Sequence, residues 1–224
     1  VSLNGVLQAP ISSYTISGST IVFAAALTTD DVIDFITVMG DVLNLGQPSD
    51  GTVVPASLGT TAVTALTAGT GITSGTNTVY RSDVQKLGNI YHTRILIDLT
   101  GLASSGSGDI IGKAGTASSH IGQITAAING TVLGGKITCF EAPAGGDPDI
   151  NLWYADEATG AEDAAITSLT NQIQMCDSGD FAIGTVVGIP TPPAADKYLY
   201  MVTGAATNAD YTAGKLLIEL FGYV

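Results

Sequence analysis

Basic residues are nearly absent from this chain. Seven of them oppose twenty acidic residues for a formal net charge of −13, and none lies between Val1 and Tyr80, where Asp30, Asp31, Asp34, Asp41 and Asp50 stand among apolar and Thr/Gly-rich runs. An acidic chain repels phosphate backbones. Arg81, Lys86, Arg94, Lys113, Lys136, Lys197 and Lys215 are dispersed along the sequence rather than clustered, which argues against nucleic acid as a partner. Charged residues of both signs make up only 12% and hydrophobic residues 45%, a charge deficit hard to reconcile with a free monomer. The composition implies apolar area hidden in an assembly.

Long hydrophobic runs are also missing. No segment offers about 18 uninterrupted apolar residues, because Ile21 to Leu27 and Ile95 to Ile97 are short and bounded by Thr, Asp or Arg, so no membrane-spanning helix is expected. The N-terminal residues lack the basic patch and apolar core of a secretory signal, which leaves location open. Cysteine is limited to Cys139 and Cys176, 36 residues lying between them. They permit one disulfide at most, and the favoured reading is two buried thiols acting as small apolar groups.

What is present is rich in β-branched residues, Gly and Thr. Thr20 to Leu27 and Val32 to Val42 read as two strands, although Val32, Phe35, Ile36 and Met39 also fit helical spacing. From Gly46 to Thr78 the chain is almost uncharged, and it reads either as short strands with glycine turns or as an extended arm laid along a neighbour. Tyr91 to Leu99 alternates: Tyr91, Thr93, Ile95, Ile97 and Leu99 share one face, and His92, Arg94, Leu96 and Asp98 share the other. Further strands are expected at 136–141, 150–155, 197–202 and 215–223, punctuated by Gly134-Gly135, Pro143 to Pro148 and Pro190 to Pro193.

Asn129-Gly130 is a hairpin signal. The best helix candidate is Ala161 to Cys176, with Ala164, Ala165, Ile166, Leu169, Ile173 and Cys176 as its apolar stripe. Many short strands with little helix give an all-β class, an antiparallel β-sandwich or jelly roll with an N-terminal β-rich or extended arm. The expected division is an assembly region or small β domain at 1–85 and a sandwich at 86–224.

The inventory for chemistry is thin. His120 follows Ser118-Ser119, which offers a Ser/His pairing, but no nucleophile elbow supports it, since Ser105-Gly106-Ser107-Gly108 lacks the strand-to-helix context. Two Cys and two His without paired spacing do not make a zinc site, and the glycines of 69–75 are not followed by the Lys-Ser/Thr pair of a phosphate loop. Asp147-Pro148-Asp149 and Asp177-Ser178-Gly179-Asp180 carry hard oxygen ligands suited to calcium, though loop aspartates more often make turns. Glu157, Glu162 and Asp163 form the densest carboxylate group and read better as a solvated face than as the acid pair of a glycosidase. Trp153 reads as a core or interface anchor. Asn129-Gly130-Thr131 matches a glycosylation acceptor, which matters only in a eukaryotic secretory chain. No catalytic, cofactor-binding or metal residue is assigned.

Thr93-Arg94-Ile95-Leu96-Ile97-Asp98-Leu99-Thr100-Gly101-Leu102, Asp109-Ile110-Ile111-Gly112, His120 to Thr125, Cys139 to Gly146, Pro148-Asp149-Ile150 and Asp210 to Glu219 together resemble virion structural or capsid decoration proteins of marine tailed bacteriophages. The resemblance covers roughly residues 90–224. It implies a non-enzymatic cement protein on the capsid exterior, made in the host cytoplasm. Its partners would be the major capsid protein and copies of itself, a trimer being favoured, with no nucleic acid and no membrane. The alternative it leaves is a tail or fibre component, or a host-surface module in which Trp153, Tyr154 and Tyr211 contact carbohydrate.

Overall fold

The computed structural model describes residues 1–37 and 64–224. The chain divides into two compact units, Val1–Thr52 and Val53–Val224. The change of unit thus precedes the 85/86 division read from composition.

In the first unit, β1 (Ser2–Leu3) pairs antiparallel with β2 (Val6–Leu7), while β3 (Tyr14–Ser17) and β4 (Thr20–Phe23) form a separate hairpin. A third strand, β5 (Ile33–Phe35), adds to β1. Strand is therefore what the described part of the 32–42 run forms; its remainder lies outside the described residues. Asn4 and Gly5 connect β1 to β2 with φ of 52° and 76°, the two positive values a type I′ turn requires. Asp34 fastens β5 to that turn, its Oδ2 accepting from Ser2 Oγ at 3.0 Å and from Gly5 N at 2.7 Å.

The second unit is an antiparallel β-sandwich. Its chain order is α1 (Thr70–Thr73), β6 (Val79–Leu87), β7 (Ile90–Asp98), β8 (Ala103–Ser104), β9 (Gly122–Ile124), α2 (Ala126–Asn129) and β10 (Thr131–Ala144). There follow β11 (Ile150–Ala155), β12 (Ile173–Cys176), β13 (Val186–Ile189), β14 (Lys197–Thr203), β15 (Ala209–Asp210) and β16 (Ala213–Tyr223). One sheet has the order β13-β10-β16-β7-β6, the other β12-β11-β14-β9, and β8 pairs with β15 beside them.

The alternation read in 91–99 is realised. Tyr91, Thr93, Ile95, Ile97 and Leu99 are buried, and His92, Arg94, Leu96 and Asp98 are half-buried on the opposite face. In β16, Leu216, Ile218 and Leu220 point inward in the same way. They meet Leu152, Met175, Leu199 and Met201 of the second sheet in one continuous core. The two sheets differ on their outer faces. Alternation along β11 and β14 turns Ala155, Tyr200 and Val202 outward, where Ile110 and Ile166 from long connections cover them. Among the described residues of this unit, the four-stranded sheet is thus covered on both sides and the five-stranded sheet on one.

Three expectations are corrected. Residues 161–176 are not a helix: Asp163 and Asn171 take φ of 64° and 50°, a single 3₁₀ turn occupies Ile166–Ser168, and Ile173–Cys176 is strand. Asn129-Gly130 does not turn a hairpin. It ends α2, whose first turn is capped by the Thr125 hydroxyl accepting from Ile128 N. Residues 64–78 are not an arm, since Leu66 and Ile72 enter the core and Val84 N donates to Thr64 O at 2.8 Å. The rest of the expected arm lies outside the described residues.

Candidate functional site

The Ser/His pairing does not form. No hydrogen bond joins Ser119 and His120, and Ser119 Oγ and His120 Nδ1 are both buried without a partner. The hydroxyl is wedged between two backbones: a Cβ placed on Gly71 or on Gly112 would lie 2.2 Å from it. There is no room beside it for a substrate. The His120 ring meets Tyr198 edge-on, centroids 5.1 Å apart, and burial lowers its pKa below the ordinary imidazole value.

The two aspartate clusters do come together. An isolated bridge joins Asp149 to Asp180, and Asp149 is raised by burial first and then by the negative charge of Asp177, Asp147 and Asp180. Asp147, fully buried, is occupied by the fold: its Oδ1 accepts from Asp149 N at 3.1 Å and its Oδ2 from Ala205 N at 2.9 Å. Among the described residues, no group of three or more His, Cys, Asp or Glu side chains is arranged to hold a metal ion. The carboxylates near 157–163 also close turns. Glu157 Oε2 accepts from Thr170 N at 2.8 Å and Glu162 Oε2 from Gly115 N at 3.0 Å. The Thr170 hydrogen bonds hold Glu157 below the usual carboxylate range, which suits an ionised turn cap rather than a proton donor.

The aromatic residues offered for carbohydrate contact are not available. Tyr154 and Tyr211 are buried in the main core, and the Tyr211 hydroxyl donates to the Asp147 carbonyl at 2.8 Å. Trp153 packs beside Tyr200 and Ile110 with its indole nitrogen buried. Cys139 and Cys176 are free and buried.

Among the described residues, two open surfaces stand out. The first is residues 1–37, where Ser2 is the only buried residue. Leu7 is 77% exposed, Ile11 87% and Ile16 67%, and Ile11, Tyr14, Ile16 and Ile36 help line an apolar cleft of about 810 Å³.

The second is the outer face of the five-stranded sheet. Four of the seven basic residues, dispersed in sequence, stand on it: Arg81, Arg94, Lys136 and Lys215, whereas Lys86 lies on the opposite face over the Tyr91 ring. The pairing register arranges the outward side chains in rows across the strands. One row runs Lys136, Glu219, Arg94, Asp83; the row one step away runs Thr138, Leu217, Leu96, Arg81. On either side of these lie Gly134, Phe221, His92, Gln85 and Glu141, Lys215, Asp98, Val79. Apart from Arg81, which donates to Tyr80 O at 2.8 Å, the charges pair within the face. Arg94 is bidentate to Asp83, Lys136 Nζ reaches Glu219 at 3.0 Å, and Lys215 lies between Glu141 and Asp98. His92 stacks on Phe221 at 4.9 Å and contacts Glu219 at 3.0 Å. Alternating side chains show which residues face outward, but only the strand register, which sequence does not display, shows that they form a ladder.

Comparison with family models, with curated proteins and with solved structures finds no match to this chain.

Proposed function

We propose that this chain is a non-enzymatic structural protein of a bacteriophage virion, a capsid decoration or cement protein on the outer surface of the major capsid shell. The observation that carries the reading is the first unit's described segment, which forms five strands yet buries no large apolar side chain. A segment of this size with no cysteine to staple it has too little core to be ordered alone, and a partner surface supplies what is missing. The phrases between Thr93 and Glu219 that resemble tailed-phage virion proteins suggest that the partner is a capsid shell.

In this reading the first unit lies on the major capsid protein, the sandwich is the rigid body, and copies associate as a homo-oligomer, a trimer being favoured. The net charge of −13 keeps decorated particles apart, a colloidal role for the acidic surface. Electron microscopy of the purified particle tests it. Density for this chain in many copies over the shell is the expected result. A few copies at one vertex would replace it with a tail or fibre role, and absence from the particle would end it.

A further inference from the structure

We infer that the outer face of the β13-β10-β16-β7-β6 sheet is a two-fold interface between two copies of this chain. Consider an axis lying in that face, parallel to the strands and midway between β16 and β7. Rotation by half a turn keeps each cross-strand row at its own height and reverses its order. The row Lys136, Glu219, Arg94, Asp83 alternates in sign over an even number of positions, so its reverse is its complement. Lys136 comes to face the partner's Asp83, and Glu219 the partner's Arg94.

The other rows obey the same operation. Lys215 faces the partner's Asp98, Leu217 faces the partner's Leu96, and Phe221 faces the partner's His92. No row sets like charges against each other. Residue i meeting j while j meets i is the signature of an isologous contact.

Electrostatics and area agree with this. The four rows hold as many cations as carboxylates, so this neutral face is where two copies of a −13 chain can approach without repulsion. Because Lys136, Arg94 and Lys215 are already paired with carboxylates within each copy, covering the face leaves Arg81 alone without one, and its guanidinium donates to Tyr80 O at 2.8 Å. The overlapping face, nine residues long and four strands wide, spans about 600 Å² at ordinary strand rise and spacing. Two such faces bury about 1,200 Å², at the lower end of the range of stable interfaces. The inference goes beyond the virion reading and does not depend on it, since a two-fold contact joins two single copies or two trimers alike.

The test is the solution mass of the full chain by light scattering or sedimentation, with circular dichroism as the control for folding. The wild-type mass is expected to be an even multiple of the chain mass. Leu217→Glu places a carboxylate over the partner's Leu96 and should halve that mass; Leu96→Lys should do the same. An equimolar mixture of the two variants should restore it, because the carboxylate introduced in one copy then meets the ammonium introduced in the other, while the second contact of the pair keeps both leucines. The gentler Leu217→Thr, which keeps strand propensity, should weaken association roughly tenfold or more while folding normally. A monomeric wild type, variants of unchanged mass, or a mixture that stays dissociated would each overturn the interface. None of these outcomes bears on where the protein sits in a particle.

Discussion

The Asn129 side chain donates from Nδ2 to the Thr93 hydroxyl at 2.8 Å, and both residues are buried. This one contact ties α2 to the centre of β7. Asn129 Oδ1 also accepts from Thr125 N at 3.0 Å, so a single amide closes the helix and docks it on the sheet.

Asn129→Ala is therefore expected to destabilise the sandwich by about 2–3 kcal/mol, because it removes two hydrogen bonds and leaves the Thr93 hydroxyl unpaired in the core. Urea denaturation of the two proteins measures the difference. Thr93→Val should cost less in the Asn129→Ala background than in wild type, the coupling expected of side chains in contact.

The same asparagine shows how much of the fold was legible. The chain contains two Asn-Gly pairs. Asn4-Gly5 lies between Ser2-Leu3 and Val6-Leu7 and makes a hairpin; Asn129-Gly130 follows Thr125-Ala126-Ala127-Ile128, a cap and helix formers, and ends a helix. Flanking propensity, not the dipeptide, decides between them. The buried faces of β7 and β16 were readable because alternation against a core leaves a direct trace. The apolar stripe at 161–176 misled, because its residues come from a 3₁₀ turn and a strand edge that happen to share the spacing.

Glycine substitutions separate conformation from packing at these turns. Gly88, in the two-residue turn between β6 and β7, has φ of 60° and open space where a Cβ would stand. Gly88→Ala should cost only the left-handed backbone penalty, about 1–2 kcal/mol. Gly130 also has positive φ, but a Cβ there would lie 2.8 Å from Tyr223 O and 2.9 Å from the Tyr91 ring. Gly130→Ala should thus be the more damaging of the two in thermal melts, and equal losses would show that the β16 end relaxes freely.

For the surfaces, alternation marks the outward residues but not their neighbours. Arg94, Lys136 and Lys215 looked scattered because strand pairing joins residues far apart in the chain, as Arg94 with Glu219 and Lys215 with Asp98. The uncovered apolar residues of 1–37 were visible only as a lack of balancing charge.

His120 gives the sandwich a pH dependence whose sign is fixed by its burial. Its folded pKa lies below the ordinary 6.5, so as pH falls through that value the unfolded chain takes up a proton first. Stability should be level above about pH 7, decline as pH drops from about 6.5 to the folded pKa, and flatten below it. Asp149 acts oppositely and lower, its raised pKa favouring the folded state as acid protonates it; Asp98 and Asp156, held low, lose their contribution below about pH 4. Melting temperatures between pH 7.5 and 5 isolate the imidazole. His120→Gln should reduce the slope there, and an unchanged slope would assign it to another group.

Cys139 and Cys176 should behave as core residues rather than reagents. Burial raises both thiols, Cys176 to about 11. At pH 8 roughly one Cys176 in a thousand would be thiolate even if a reagent could reach it. A thiol-specific chromophore is expected to react with neither residue in the folded protein and with both in denaturant. Under native conditions their modification should follow the opening of the sandwich, with rates that rise in step as urea lowers its stability. Fast reaction at one cysteine alone would mean that its strand, β10 or β12, opens independently of the rest.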